Sequence, residues 1–182
     1  MNILIIGTLR VGGLYLMKSL ANTYGLETMH EPVPSAAANS NIIKNKVVKM
    51  IICFKYMDLE KDYWLDVVSN YDHVIILNRK PTLEYYQSIY QILFKTDNMW
   101  VNWTWNEVDE EEIYKSKDWK WTIDFVNKMN VKLKEVSKIL KQKIVYYDDL
   151  YYNKSSDYLN GLEFNPDLNK KLRKSAVKKS II

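Results

Sequence analysis

The residues best suited to chemistry stand where one kind of segment gives way to the next, and most of them are cations. Arg10 lies inside Gly7-Thr8-Leu9-Arg10-Val11-Gly12-Gly13, a run that holds three of the five glycines in the chain. A loop of this form between a strand and a helix offers backbone N–H groups and the positive end of the helix dipole, an arrangement suited to phosphate. Arg79 closes the apolar run His73-Val74-Ile75-Ile76-Leu77, from which a guanidinium can grip a phosphate in bidentate fashion. Lys49 follows Val47 and Val48, where strand alternation can turn it into a cleft. His30-Glu31-Pro32-Val33-Pro34 adds an imidazole and a carboxylate to a segment stiffened by two of the four prolines. Arginine is scarce: among 26 basic residues only Arg10, Arg79 and Arg173 are arginine, and two of these three sit at the positions just named.

The elements that must carry these side chains follow from the apolar pattern. Asn2 to Ile6 reads as a buried strand, and the glycine loop leads into a helix with apolar residues at Leu14, Met17, Leu20, Ala21 and Tyr24, stopped at Gly25. Val47 to Phe54 predicts a second strand, followed by a helix from about Asp58 with Tyr63, Trp64, Val67 and Val68 on its apolar side. His73 to Leu77 predicts a third strand. Pro81 suits a first helical turn, and Leu83, Tyr86, Ile89, Tyr90 and Leu93 continue at helical spacing. The period of three to four from Trp119 to Leu140 predicts a long helix, and Lys143 to Tyr147 a last strand. Strands alternating with helices predict an α/β fold: one domain, a mainly parallel sheet of four to five strands with helices on both faces, and a ligand site at the carboxyl ends of the strands.

Composition narrows the classes of function. A chain of 182 residues with 47% apolar and 13% aromatic residues can bury a core. No apolar run approaches the roughly 20 residues of a membrane span, and no basic stretch precedes the first apolar run, so a cytoplasmic protein is expected. The single cysteine, Cys53, supports neither a disulfide framework nor a clustered zinc site. The net charge of +4 owes much to a tail from about residue 168 that includes Lys170, Lys171, Arg173, Lys174, Lys178 and Lys179, too local to argue for nucleic acid. Five of six tryptophans, Trp100, Trp103, Trp105, Trp119 and Trp121, flank the acidic run Glu107 to Glu112, where they either shape an acceptor site or pack under a loop. Those acids read as a solvated, dipole-compensating face, and no metal is expected.

Gly7 and Gly12 match the glycines of a Walker A loop, but its lysine and hydroxyl are replaced by Gly13 and Leu14, which disfavours an ordinary nucleoside-triphosphate hydrolase or kinase. Taken in order, the segments resemble those of the sulfotransferases that use 3'-phosphoadenosine 5'-phosphosulfate. Gly7 to Leu16 is similar to their Gly-x-x-Arg/Lys-Ser-Gly-Thr-Thr-x-Leu loop, with Arg10 on the cationic position. Val47-Val48-Lys49 resembles the strand that ends in lysine, His73 to Pro81 the strand that ends in Arg-x-Pro, and Ile144 to Leu150 the late Val-x-Tyr-Glu-Asp-Leu segment. The family's serine and paired threonines are absent, their positions being Val11, Gly13 and Leu14.

The resemblance implies a site. Gly7, Thr8, Leu9, Arg10, Val11, Gly12, Gly13 and Leu14 would hold the 5' phosphosulfate, and Lys49 with Arg10 would neutralise charge near the bridging oxygen. Arg79 with a hydroxyl on the next helix would hold the 3' phosphate; the family's serine position is Gln87, and Ser88 is one step later, so either could serve. Glu31 would be the general base with His30 as substitute, because the histidine of the phenol-acting branch falls on Ile51. Asp148 and Asp149 would satisfy backbone donors at a strand end. The expected activity is sulfuryl transfer without a metal to a small-molecule, sugar or peptide acceptor; the alternatives are a P-loop nucleotide or small-molecule kinase and a non-catalytic nucleotide-binding relative.

Overall fold

Apolar residues at successive positions of the central strands supply two cores at once, because strand side chains alternate between the faces of a sheet. The computed structural model describes residues 1–53, 56–94, 110–151, 159 and 161–163. Five strands, β1 (Ile3–Gly7), β2 (Glu27–His30), β3 (Lys46–Ile51), β4 (His73–Asn78) and β5 (Ile144–Tyr146), form one sheet in the order β2-β3-β1-β4-β5. Every pairing is parallel, with Ile5 opposite Lys49 on one side and Ile75 on the other. Leu4, Ile6, Val48, Met50, Val74 and Ile76 face one core, and Ile3, Ile5, Val47, Ile75 and Leu77 face the other.

The helices divide between those faces. α1 (Gly13–Tyr24) covers the second core with Leu16, Met17, Leu20 and Ala21, joined by Leu150 of α8 (Tyr147–Tyr151). On the first face lie Ala37 of α2 (Pro34–Ala37), Ile43 of α3 (Ser40–Ile43), Trp64 and Val67 of α4 (Lys61–Ser69), and Leu133, Val136 and Leu140 of α7 (Lys117–Leu140). α5 (Leu83–Phe94) packs Tyr85 and Ile89 against Phe125, Val126 and Met129 of α7, while α6 (Glu110–Lys115) leads into α7. Ser116 caps α7, its hydroxyl accepting from Trp119 N at 3.1 Å.

The α/β class, the parallel sheet and the flanking helices agree with the sequence reading, and three boundaries differ for physical reasons. β2 is a fifth strand at a segment the apolar pattern did not mark: Glu27 to His30 pairs solely with β3 at the sheet edge, so its side chains stay largely exposed and carry no apolar signature. The last strand ends at Tyr146, because Tyr147 opens α8; Asp148 and Asp149 therefore lie in a helix's first turn, where carboxylates favour the dipole, and not at a strand end. Pro81 precedes α5, whose first turn is closed by Thr82, with Tyr85 and Tyr86 N donating to its carbonyl at 3.0 and 3.1 Å. Among the described residues no helix is long and apolar enough to cross a membrane. Trp100, Trp103, Trp105 and the basic tail lie outside the described residues.

Candidate functional site

The carboxyl ends of β1, β2, β3 and β4 open onto one cleft of about 380 Å³, within the ~300–1,000 Å³ usual for ligand sites. Thr8 through Leu14, His30, Glu31, Lys49, Arg79 and Ser88 line it, together with Tyr15, Ile51, Ile92 and Tyr147. Segments as far apart as residues 8 and 147 thus converge, because a parallel sheet delivers every strand's carboxyl end to the same edge.

The β1–α1 loop is held by its own residues. Arg10 and Gly12 both have left-handed backbones, with φ of 58° and 74°, and Gly12 receives Tyr15 N and Leu16 N on its carbonyl at 3.1 and 3.2 Å. The first amides of α1, at Gly13 and Leu14, have no carbonyl one turn earlier within the helix to donate to. A Cβ on Gly12 would lie 2.7 Å from the Tyr147 ring, and Tyr151 Oη donates to Gly12 O at 2.8 Å. α8 therefore clamps the loop from the far end of the chain. Thr8 is turned inward: its buried hydroxyl donates to Asn78 Oδ1 at 3.1 Å and lies 2.8 Å from Tyr85 Oη, which donates to Leu9 O at 3.0 Å. Val11 is buried in the α1-side core, so its side chain serves packing.

Two guanidiniums and an ammonium give the cleft its charge. Arg10 Nε donates to Ser88 Oγ at 2.8 Å, and burial, with Arg79 nearby, pulls its pKa below the ordinary arginine value. Arg79 sits over two rings, Tyr85 at 5.7 Å and Tyr147 at 5.2 Å from their centroids, contacts that favour the cation at this place. Among the described residues neither arginine forms a salt bridge. Ser88 and Ile92, four residues apart along α5, line the cleft, and Tyr85, one turn before Ser88, reaches Thr8 and Leu9 behind it; Gln87 does not line the cleft and donates to Tyr114 Oη at 2.8 Å. Of the two candidates on this helix, the one beside the cations is Ser88.

Lys49 occupies the floor. Its side chain is 8% exposed, and burial lowers its pKa to about 8 against the pull of Glu31 in the other direction. Nζ lies 2.9 Å from His30 Nε2 and 3.8 Å from Glu31 Oε1, and His30 Nε2 is 3.3 Å from the same carboxylate oxygen. Burial and the neighbouring ammonium lower the His30 pKa, and Lys49, as an ammonium, can only donate to the ring nitrogen. Glu31 directly follows edge strand β2; it has φ of 49°, and its amide donates to Lys49 O at 2.8 Å. The cleft thus holds one carboxylate, with Lys49 beside it, and is lined by Arg10 and Arg79 as well, an arrangement able to bind a polyanion and to take a proton.

No family model matches the chain, and no curated protein matches it by sequence. Among solved structures it is similar to the sulfotransferase domain from the curacin biosynthetic pathway: TM-score 0.50, 14% identity, covering 92% of this chain and 76% of that one. The chain has a sulfotransferase-like fold. The sequence alone pointed to the loop, Arg10, His30, Glu31, Lys49, Arg79 and, on the helix after it, either Gln87 or Ser88. It missed the residues that hold them: Asn78 and Tyr85 behind the loop, and Tyr147 and Tyr151 in front of it. The spacing of Tyr85 and Ser88 on α5 was the one available signal. Trp119 packs against Tyr86, Tyr90 and Tyr114, whereas Trp121 is 42% exposed and stacks on Phe125 with centroids 4.8 Å apart; neither lines the cleft.

Proposed function

We propose that this chain is a sulfotransferase that moves a sulfuryl group from 3'-phosphoadenosine 5'-phosphosulfate to a hydroxyl or amine acceptor. The observation that carries the reading is the convergence of Arg10, Lys49 and Arg79 on a cleft whose lining includes a single carboxylate, Glu31. The donor carries a phosphosulfate and a separate 3' phosphate, and we assign both to this cleft. In that assignment Lys49, Arg10 and the amides of Gly13 and Leu14 take the phosphosulfate, while Arg79 and Ser88, whose hydroxyl accepts from Arg10 at 2.8 Å, take the 3' phosphate.

In the proposed reaction the acceptor oxygen or nitrogen attacks sulfur as Glu31 takes its proton. The bond from sulfur to the bridging phosphate oxygen breaks, and its electron pair leaves on 3'-phosphoadenosine 5'-phosphate. Lys49 and Arg10 stabilise the charge that accumulates there, a contribution worth about 100-fold or more in comparable sites; the base adds roughly 100- to 10,000-fold.

A kinase is disfavoured by the residues at hand: Gly13 and Leu14 provide neither the phosphate-binding lysine nor the magnesium-binding hydroxyl, and β4 ends in the amide Asn78, already committed to Thr8 and to Arg79 N. A non-catalytic nucleotide-binding relative has one observation in its favour, the burial of Val11 where the family has a hydroxyl. Calorimetric titration with 3'-phosphoadenosine 5'-phosphate beside magnesium–ATP tests the ligand assignment. The bisphosphate is expected to bind more tightly; equal or tighter binding of ATP would favour the kinase.

A further inference from the structure

The segment after Glu31 is tied down by side chains from a single stretch of chain. Tyr56 Oη donates to Pro32 O, Tyr63 Oη to Pro34 O at 3.1 Å, Tyr71 Oη to Ala37 O at 2.9 Å, and Asn70 Nδ2 to Ala38 O at 3.1 Å. Pro34 O also accepts from Ala38 N at 3.2 Å, whereas the donor to Pro32 O is the Tyr56 hydroxyl. Tyr56 is the one nearest the site. Its ring is 1% exposed and 6.5 Å from that of Trp64, and its amide donates to Cys53 O at 3.0 Å, just past the end of β3. The phenol therefore joins the strand that carries Lys49 to the residue next to Glu31. Glu31 needs such a tie, because a left-handed backbone at a residue with a side chain persists only where its surroundings over-determine it.

We propose that Tyr56 is a positioning residue for Glu31: by donating to Pro32 O it holds the left-handed turn that keeps the carboxylate beside Lys49 and His30. The role in transfer rests on Glu31 being the base; the geometric role does not. The groups around Lys49 are Glu31 and His30 at the end of β2, Cys53 after β3, and Lys18 of α1 acting on His30. Of these, Glu31 does most to raise the Lys49 pKa, so a carboxylate that swings away lowers it.

The test is Tyr56→Phe, which removes only the hydroxyl, with Tyr63→Phe as a matched control on the same segment. Lys49 is titrated by NMR at its ε-carbon, with Lys49→Met assigning the resonance. The expected result is a Lys49 midpoint below the parent's value of about 8 in Tyr56→Phe and unchanged in Tyr63→Phe, with 4-aminophenylalanine at position 56, which restores a donor, returning it to the parent's. With an acceptor in hand, kcat is expected to fall about 10- to 100-fold at unchanged donor affinity. An unmoved midpoint, or equal movement in the two phenylalanine variants, overturns the proposal. If Tyr56→Phe does not fold in buffer, parent and variant are compared in trimethylamine N-oxide. Absence of transfer in the parent would count against the sulfotransferase reading alone, since the Lys49 titration is read without turnover.

Discussion

An ideal Cβ on Gly13 comes within 2.9 Å of Lys49 Cε and 3.3 Å of its Cδ, so the stem of Lys49 fills the space that a larger residue at position 13 needs. Gly13 has no left-handed φ and stands in the first turn of α1. Gly13→Ala is thus expected to leave the melting temperature unchanged or raised, alanine being up to about 1 kcal/mol the better helix former. By pushing Lys49 aside it is expected to weaken 3'-phosphoadenosine 5'-phosphate about tenfold in calorimetry. Parental affinity would mean that Lys49 adapts without consequence.

Gly12 is expected to behave in the opposite way. Its φ of 74° strains any residue with a Cβ, and that Cβ would meet the rings of Tyr147 and Tyr151 at 2.7 and 2.9 Å. Gly12→Ala is expected to cost about 2 to 4 kcal/mol of stability, from the left-handed backbone and overpacking together. Chemical denaturation of the two alanine variants side by side measures the contrast.

Arg79 lies over the rings of Tyr85 and Tyr147 and, among the described residues, forms no salt bridge with a carboxylate. Arg79→Ala is expected to keep the fold and to weaken the bisphosphate by about 1.5 to 3 kcal/mol, or roughly 10- to 100-fold in Kd. Arg79→Lys is expected to recover little, since an ammonium has neither the flat face for the rings nor the paired donors. Calorimetry on both variants reads the difference.

The pH dependence has two opposed parts. Native Lys49 loses its proton near pH 8, whereas an ordinary lysine keeps it to about 10.5. Bisphosphate affinity is therefore expected to fall as pH rises through 8. Over the window from 8 to about 10 the unfolded chain binds the extra proton, so the contribution of Lys49 to stability rises with pH. Above that window it is opposed by Tyr56 and Tyr85, whose pKa values are pushed up to about 12 by burial and whose phenols stay protonated only in the native state. Lys49→Met is expected to flatten both the affinity fall and the stability rise between pH 8 and 10, as read by calorimetry and thermal melts.

What the sequence showed and what it hid divide along physical lines. β1, β3 and β4 are nearly all buried, so unbroken apolar runs announced them, and each run led to a site residue: the loop after Gly7, Lys49 and Arg79. β2 escaped because an edge strand paired on one side needs no apolar side chains, and with it went the reason Glu31 faces Lys49. Choosing between Gln87 and Ser88 depended on the phase of α5, which Tyr85 fixes by reaching Thr8. The tyrosine clamp could not be seen at all, since phenols at positions 56, 63 and 71 bond to carbonyls 24 to 34 residues earlier and leave no periodic trace.

Sulfuryl transfer with Glu31 taking the acceptor's proton is the central proposal, and transfer itself is the most direct measurement. The protein is incubated with donor labelled in its sulfur atom against a panel of sugars, phenols and peptides, and the responsive acceptor is then used to compare the parent with Glu31→Gln. The expected result is labelled product with the parent and a fall of roughly 100-fold or more in kcat with Glu31→Gln, while affinity for 3'-phosphoadenosine 5'-phosphate stays near the parent's. Transfer by Glu31→Gln at the parental rate would contradict the role of Glu31 and move the same test to His30. Tight bisphosphate binding with no transfer to any acceptor would contradict the enzyme and leave a nucleotide-binding protein.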